Sequence, residues 1–255
     1  MIPAPSDLVL PAGMAVAAGL VGSFAVMRRM TLAADAISHV ALPGVGIALM
    51  LHANPVLGAL AALFLGTLLV WAVERQTRIP TETVIGVVFS AALAVGSMLA
   101  SGEELIEALF GAPHTLGRGD VVVGVIGAAL VIGFLMWARS RLVIALVSPD
   151  LARTAGIDVA RTDLLFLLAF ALTVGLGLRY LGVLLMGSLV IIPAATAKRW
   201  ARSLSGMQLI SVLVAVLATL AGSLTAPLVH QETGPVIIAI AATIFFVSFA
   251  VPRTE

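Results

Sequence analysis

The chain has 255 residues, 61% of them hydrophobic and only 11% charged, with a net charge of +1 and no cysteine. Soluble domains carry about 25% charged residues, so composition excludes a soluble domain of any size. The net charge alone says nothing about nucleic acid, but no basic tail or aromatic-studded polar stretch is there to bind one, and the lack of cysteine removes thiolate metal sites and disulfides together.

Roughly 20 apolar residues span the hydrocarbon layer, and such stretches recur along the chain. They run from Leu8 to Met27, Thr31 to Leu51, Val56 to Val73, Val84 to Ala100, Val121 to Ala138, Thr162 to Leu178, Leu181 to Ala197, Met207 to Ala226 and Pro235 to Val251. The pattern predicts an all-α, polytopic membrane protein of about nine transmembrane segments, a single domain over residues 1–255. The opening MIPAPSDLVLPAG has Asp7 and no basic residue before its apolar run, so it lacks the positive region of a secretory signal and the first segment is expected to stay. Short cytoplasmic loops collect Lys and Arg. With the N-terminus outside, alternating segments place Arg28, Arg29, Arg75, Arg78, Arg139, Arg141, Arg153, Arg161, Lys198, Arg199, Arg202 and Arg253 inside, and only Arg118 and Arg179 outside. Thr162 to Leu178 and Leu181 to Ala197 are almost contiguous, which leaves open a re-entrant Leu181 to Ala197 and eight spans.

The second segment, RRMTLAADAISHVALPGVGIALML, carries Asp35 and His39. An ionisable side chain near the bilayer centre costs about 2.5 to 3.5 kcal/mol on insertion scales and normally faces a protein interior or a water-filled path. Counted from Arg29, His39 lies about 15 Å up the helix, near the midplane, with Asp35 about one turn below. The four-residue spacing puts carboxylate and imidazole on one face beside Ser38. One oxygen and one nitrogen ligand suit zinc, manganese or iron, provided Asp is ionised and His neutral. A complete site needs four or more ligands, which a homodimer about this helix would supply. The plainer alternative is an Asp–His hydrogen bond that satisfies two buried groups. Pro43 and Gly44 are expected to loosen the helix just above.

Outside, the reading places Glu103, Glu104, Glu107, Asp120 and Glu232 with His114 and His230, either as a solvated face or as a docking surface for an external partner. Inside, the longest loop runs from Ala138 to Arg161. Ser148 or Asp150 there is positioned to cap a short helix that Gly156 stops, acting as a lever or as a mere connector. The sequence has no G-x-x-x-x-G-K-[ST] phosphate loop, and its single lysine, Lys198, follows no glycine loop. A transport subunit without its own ATPase site is expected, and no enzyme signature argues otherwise.

The run RRMTLAADAISHVALPGVGIAL resembles the signature of the permeases of manganese-, zinc- and iron-uptake ABC importers. LIEALFG at Leu105 to Gly111, SPDLARTAGI at Ser148 to Ile157 and YLGVLLMGSLVIIPAATAKRW at Tyr180 to Trp200 agree in order and spacing. The resemblance implies a homodimer in a bacterial plasma membrane, two cytoplasmic ATPase subunits and an external protein that delivers the metal, with no resident cofactor. It implies metal ligation by Asp35 and His39, and ATPase contact through Pro149, Asp150, Leu151, Ala152, Arg153, Thr154, Ala155 and Gly156. The chain departs from the pattern before its last span, where LVHQETGPV offers His230 and Glu232 as a candidate outer rim.

Overall fold

The computed structural model describes residues 5–30, 36–77, 79–99, 118–181 and 183–250, and among these every regular element is a helix. In chain order they are α1 (Pro5–Met27), α2 (Ala41–Met50), α3 (Pro55–Gln76), α4 (Thr81–Leu99), α5 (Arg118–Val147), α6 (Pro149–Thr154), α7 (Val159–Leu181), α8 (Val183–Trp200), α9 (Leu204–Thr225), a 3-10 turn (Ala226–Leu228) and α10 (Thr233–Val247). Six of them, α1, α3, α4, α5, α7 and α9, are long and apolar enough to cross a membrane. The helical stretch Ala36–Met50, which includes α2, and α10 are apolar but shorter, and α8 carries Lys198 and Arg199 in its last turn.

Helix contacts here rest on small residues, because lipid tails give apolar side chains no reason to leave them and close packing must supply the attraction. α1 is the hub, with 72% of its most apolar window buried, and it packs against α7, α5, α8 and α9. Gly22 lies against the Val190 carbonyl and Ala194 of α8, so that any Cβ would collide with backbone. Gly19 abuts Ser211 and Val212 of α9, and the Ser211 hydroxyl donates to the Gly19 carbonyl at 2.8 Å. Gly44 of α2 and Gly58 of α3 touch backbone to backbone in the same way. Gly177 of α7 meets the Met186 side chain of α8. A continuous helix would hold residues nine apart at about 13.5 Å, so this contact requires the chain to fold back sharply between α7 and α8.

Two boundaries differ from the sequence expectation. α5 runs to Val147, past Ala138, where the loop was expected to begin. Arg139 and Arg141 are accommodated on the helix because Arg139 donates to the Ser205 hydroxyl at 2.6 Å and Arg141 lies 4.5 Å from the Trp137 ring centroid. With no glycine or proline between Ala138 and Val147, nothing stops the helix there. The second segment is also not one straight helix: residues 36–39 are helical, Val40 is a turn, and α2 begins at Ala41. Pro43 cannot donate to the His39 carbonyl, and its ring crowds that carbonyl; Val40 accordingly bonds back to Ile37 at 3.0 Å.

Candidate metal site and the exposed helix of the bundle

His39 lies at that interruption. Its Nδ1 is buried, and its ring stands 5.4 Å from the Phe89 ring of α4, tilted by 59°. Ser38 beside it is fully buried. Val40 fills the space over Gly66 of α3, while Leu42 and Pro43 close on Gly96 of α4. The imidazole is therefore held where α2, α3 and α4 meet, at a place where Pro43 removes the ladder donor to the His39 carbonyl. Asp35, its expected partner, lies outside the described residues, as do Glu103, Glu104, Glu107 and His114. Among the described residues, no group of three or more His, Asp or Glu gathers as a metal site. One chain's described part thus offers a nitrogen ligand and no complete shell.

His230 and Glu232 sit between the 3-10 turn and α10, both exposed, in a turn that packs on α9 and α10. His230 has a φ of 52°, and the amide of Gln231 reaches back to the Ala226 carbonyl at 3.2 Å. The structure groups these two with the α9–α10 hairpin.

At the opposite end of the bundle, α6 forms over the expected residues. Ser148 is its cap, accepting from the Leu151 amide at 3.2 Å, and Pro149 occupies the first helical position, where no N–H is needed. Gly156, at φ 75°, closes a Schellman motif in which its amide bonds to Arg153 and that of Ile157 to Ala152, at 3.1 and 2.9 Å. Only Ala152 is buried, whereas Pro149, Asp150, Leu151, Arg153, Thr154, Ala155 and Gly156 all face outward. Leu151 is 59% exposed, and Asp150 and Arg153 pair at 3.0 Å along the surface.

Sequence reasoning missed a charged cavity of about 460 Å³ at this end, lined by Arg28, Arg29, Glu74, Glu82 and Asp163 among others. Arg28 and Asp163 form a 2.7 Å ion pair there between α1 and α7, with the Arg28 guanidinium 4.6 Å from the Phe166 ring centroid. Each of these residues ends or begins an apolar run, so position alone marked them as loop charges, and no spacing rule links four separate helices.

The fold and this arrangement define a polytopic helical membrane protein with one imidazole at an interrupted span and an exposed helix at its basic face. The chain belongs to the ABC 3 transport family, whose model matches residues 7–252. It is 29% identical to the high-affinity zinc uptake system membrane protein ZnuB of Haemophilus influenzae, over 89% of each chain. It is 29% identical to the manganese transport system membrane protein MntC of Listeria innocua, over 95% of this chain and 88% of the other. Among solved structures, PsaBC from Streptococcus pneumoniae in complex with Fab superposes with a TM-score of 0.83 at 27% identity, covering 97% of this chain and 90% of that one.

Proposed function

We propose that the chain is the membrane-spanning permease of an ATP-driven importer of divalent transition metals, zinc, manganese or iron, and provides the translocation path. The observation that carries the metal is His39, an imidazole at the break of an apolar span, where a side chain without a task would only add cost. Family membership and the relatives named for zinc and manganese support the transport class. In this reading Asp35 and His39 hold the ion, two copies of the chain complete its shell, and α6 seats on a cytoplasmic ATPase subunit. A separate external protein delivers the ion near the rim that includes His230 and Glu232.

Nine crossings with the N-terminus outside fit the contacts. Gly19 with Ser211 and Gly22 with Ala194 lie near one end of their helices, Gly222 with Ile237 near the other, as alternating directions require. Arg28, Arg75, Arg139, Arg153, Arg161 and Arg199 then share the inner face, as basic residues in short loops do. The thin cover of α4, with 17% of its most apolar window buried, suits a second copy or lipid beside His39.

Purified permease with its ATPase subunits in liposomes tests this. Zinc or manganese uptake that requires ATP is expected, and it should vanish with His39→Ala. Uptake driven by a pH gradient alone, without ATPase subunits, would instead make the chain a secondary transporter.

A further inference from the structure

We propose that Trp71 is a positioning residue that transmits movement of the cytoplasmic α6–α7 unit along α3 to the segment bearing His39; this rests on the transport function proposed above. Three observations carry it.

The first is that α6 and α7 behave as one piece at their junction. Only Ala155, Gly156, Ile157 and Asp158 separate them. The Schellman bonds close one side, and Asp158 caps the other, its carboxylate accepting from the Arg161 amide at 3.0 Å and its carbonyl from the Thr162 hydroxyl at 2.9 Å. With both ends of a four-residue link bonded, displacement of α6 carries the first turn of α7 with it.

The second is the contact that this turn makes. The Trp71 indole Nε1 donates to the Ala160 carbonyl at 3.0 Å across 89 positions of sequence. A helix carbonyl already accepts within its own ladder, so the indole is an added partner set by tertiary position. Arg75, one turn further along α3, lies 4.9 Å from the Trp71 ring centroid and holds its orientation. A cavity of about 410 Å³ lies beside the pair, lined by Trp71, Arg75, Arg153, Asp158 and Ala160 among others. It leaves the α6–α7 link room to move against α3.

The third is where α3 leads. Five residues from Trp71, about 7.5 Å along the axis, Gly66 receives the Val40 side chain, and Val40 adjoins His39 at the break. A tilt or shift of α3 thus changes a contact that Val40 makes next to the imidazole. No other described side chain joins α3 to the start of α7 by a hydrogen bond to backbone.

The test uses the complete complex in liposomes, with zinc uptake and ATP hydrolysis followed together. Trp71→Phe keeps a ring and loses the N–H. Uptake per ATP hydrolysed is expected to fall about fivefold, the loss typical of one hydrogen bond, with hydrolysis and zinc binding by the purified complex unchanged. The isosteric benzothienyl analogue of tryptophan at position 71, which lacks only the N–H, should give the same loss and decides the matter if Trp71→Phe assembles poorly. Wild-type uptake per ATP in the analogue, or parallel decline of binding, hydrolysis and uptake, would overturn the proposal and leave Trp71 as packing. Failure of the wild-type complex to take up zinc or manganese would count against the proposed function instead.

Discussion

His230 and His52 share a backbone conformation that side chains seldom choose, each with φ 52°, and Arg29 joins them at 59°. All three follow a helical turn whose last carbonyls are collected by the next amides, as when Ala53 bonds to Ala48 at 2.8 Å and Met30 to Ala25 at 2.9 Å. Glycine usually fills this position, and another residue there costs about 1 to 2 kcal/mol. His230 therefore has a local role in stopping a helical turn, whatever else its imidazole does. His230→Gly should raise thermal stability by roughly 1 kcal/mol. If the residue only ends the turn, metal uptake is unchanged; if it is part of the rim that receives the ion, uptake at low metal falls while stability rises. Melting of the purified protein and uptake assays separate the two. The sequence marked His230 as a rim residue from its side of the membrane, and a single positive φ is not readable from a sequence without a glycine to signal it.

The elements divide into those whose signals are local and those set by their neighbours. α6 was readable because Ser148 or Asp150 could cap it and Gly156 stop it at the right spacing, and the structure uses Ser148 as the cap and Gly156 as the stop. The interruption at Val40 was half readable: Pro43 announces a weakened ladder, but where the chain turns depends on the fit of Val40 to Gly66 and of Leu42 to Gly96. The end of α5 was misplaced because Arg139 and Arg141 read as loop, whereas their partners Ser205 and Trp137 are supplied by packing and by the helix's own preceding turn. α6 also carries a prediction of its own. Its exposed face offers an apolar Leu151 between the charges of Asp150 and Arg153, and Arg153→Glu would place two like charges at the 3.0 Å pair. An exposed pair contributes under about 1 kcal/mol to folding, so the variant should fold and bind metal normally while ATP-driven uptake is lost. Uptake at the wild-type level, with normal stimulation of hydrolysis, would reduce α6 to a connector.

For the whole molecule, composition and the glycine contacts agree. Composition required a membrane protein, and Gly19, Gly22 and Gly44 stand where helices approach within backbone distance; the motif at Asp35 and His39 named the family. What a single sequence could not contain is the way four helices share one charged cavity. The proposed metal site is the point where a second copy matters most. Among the described residues no cluster of three or more ligands forms around His39, and the proposal counts two ligands for one copy, Asp35 and His39. Two ligands are too few to replace the water shell of a divalent ion, whereas two copies offer four. One ion is therefore expected for each pair of chains, with Asp35 and His39 of both in its shell. His39→Ala then removes two of four ligands in a single substitution and should weaken binding more than the roughly 10-fold to 100-fold loss typical of a supporting outer residue. Calorimetric titration of the purified complex with zinc reads both quantities. Saturation at one ion per chain, or an affinity unmoved by His39→Ala, would place the site away from the broken second span.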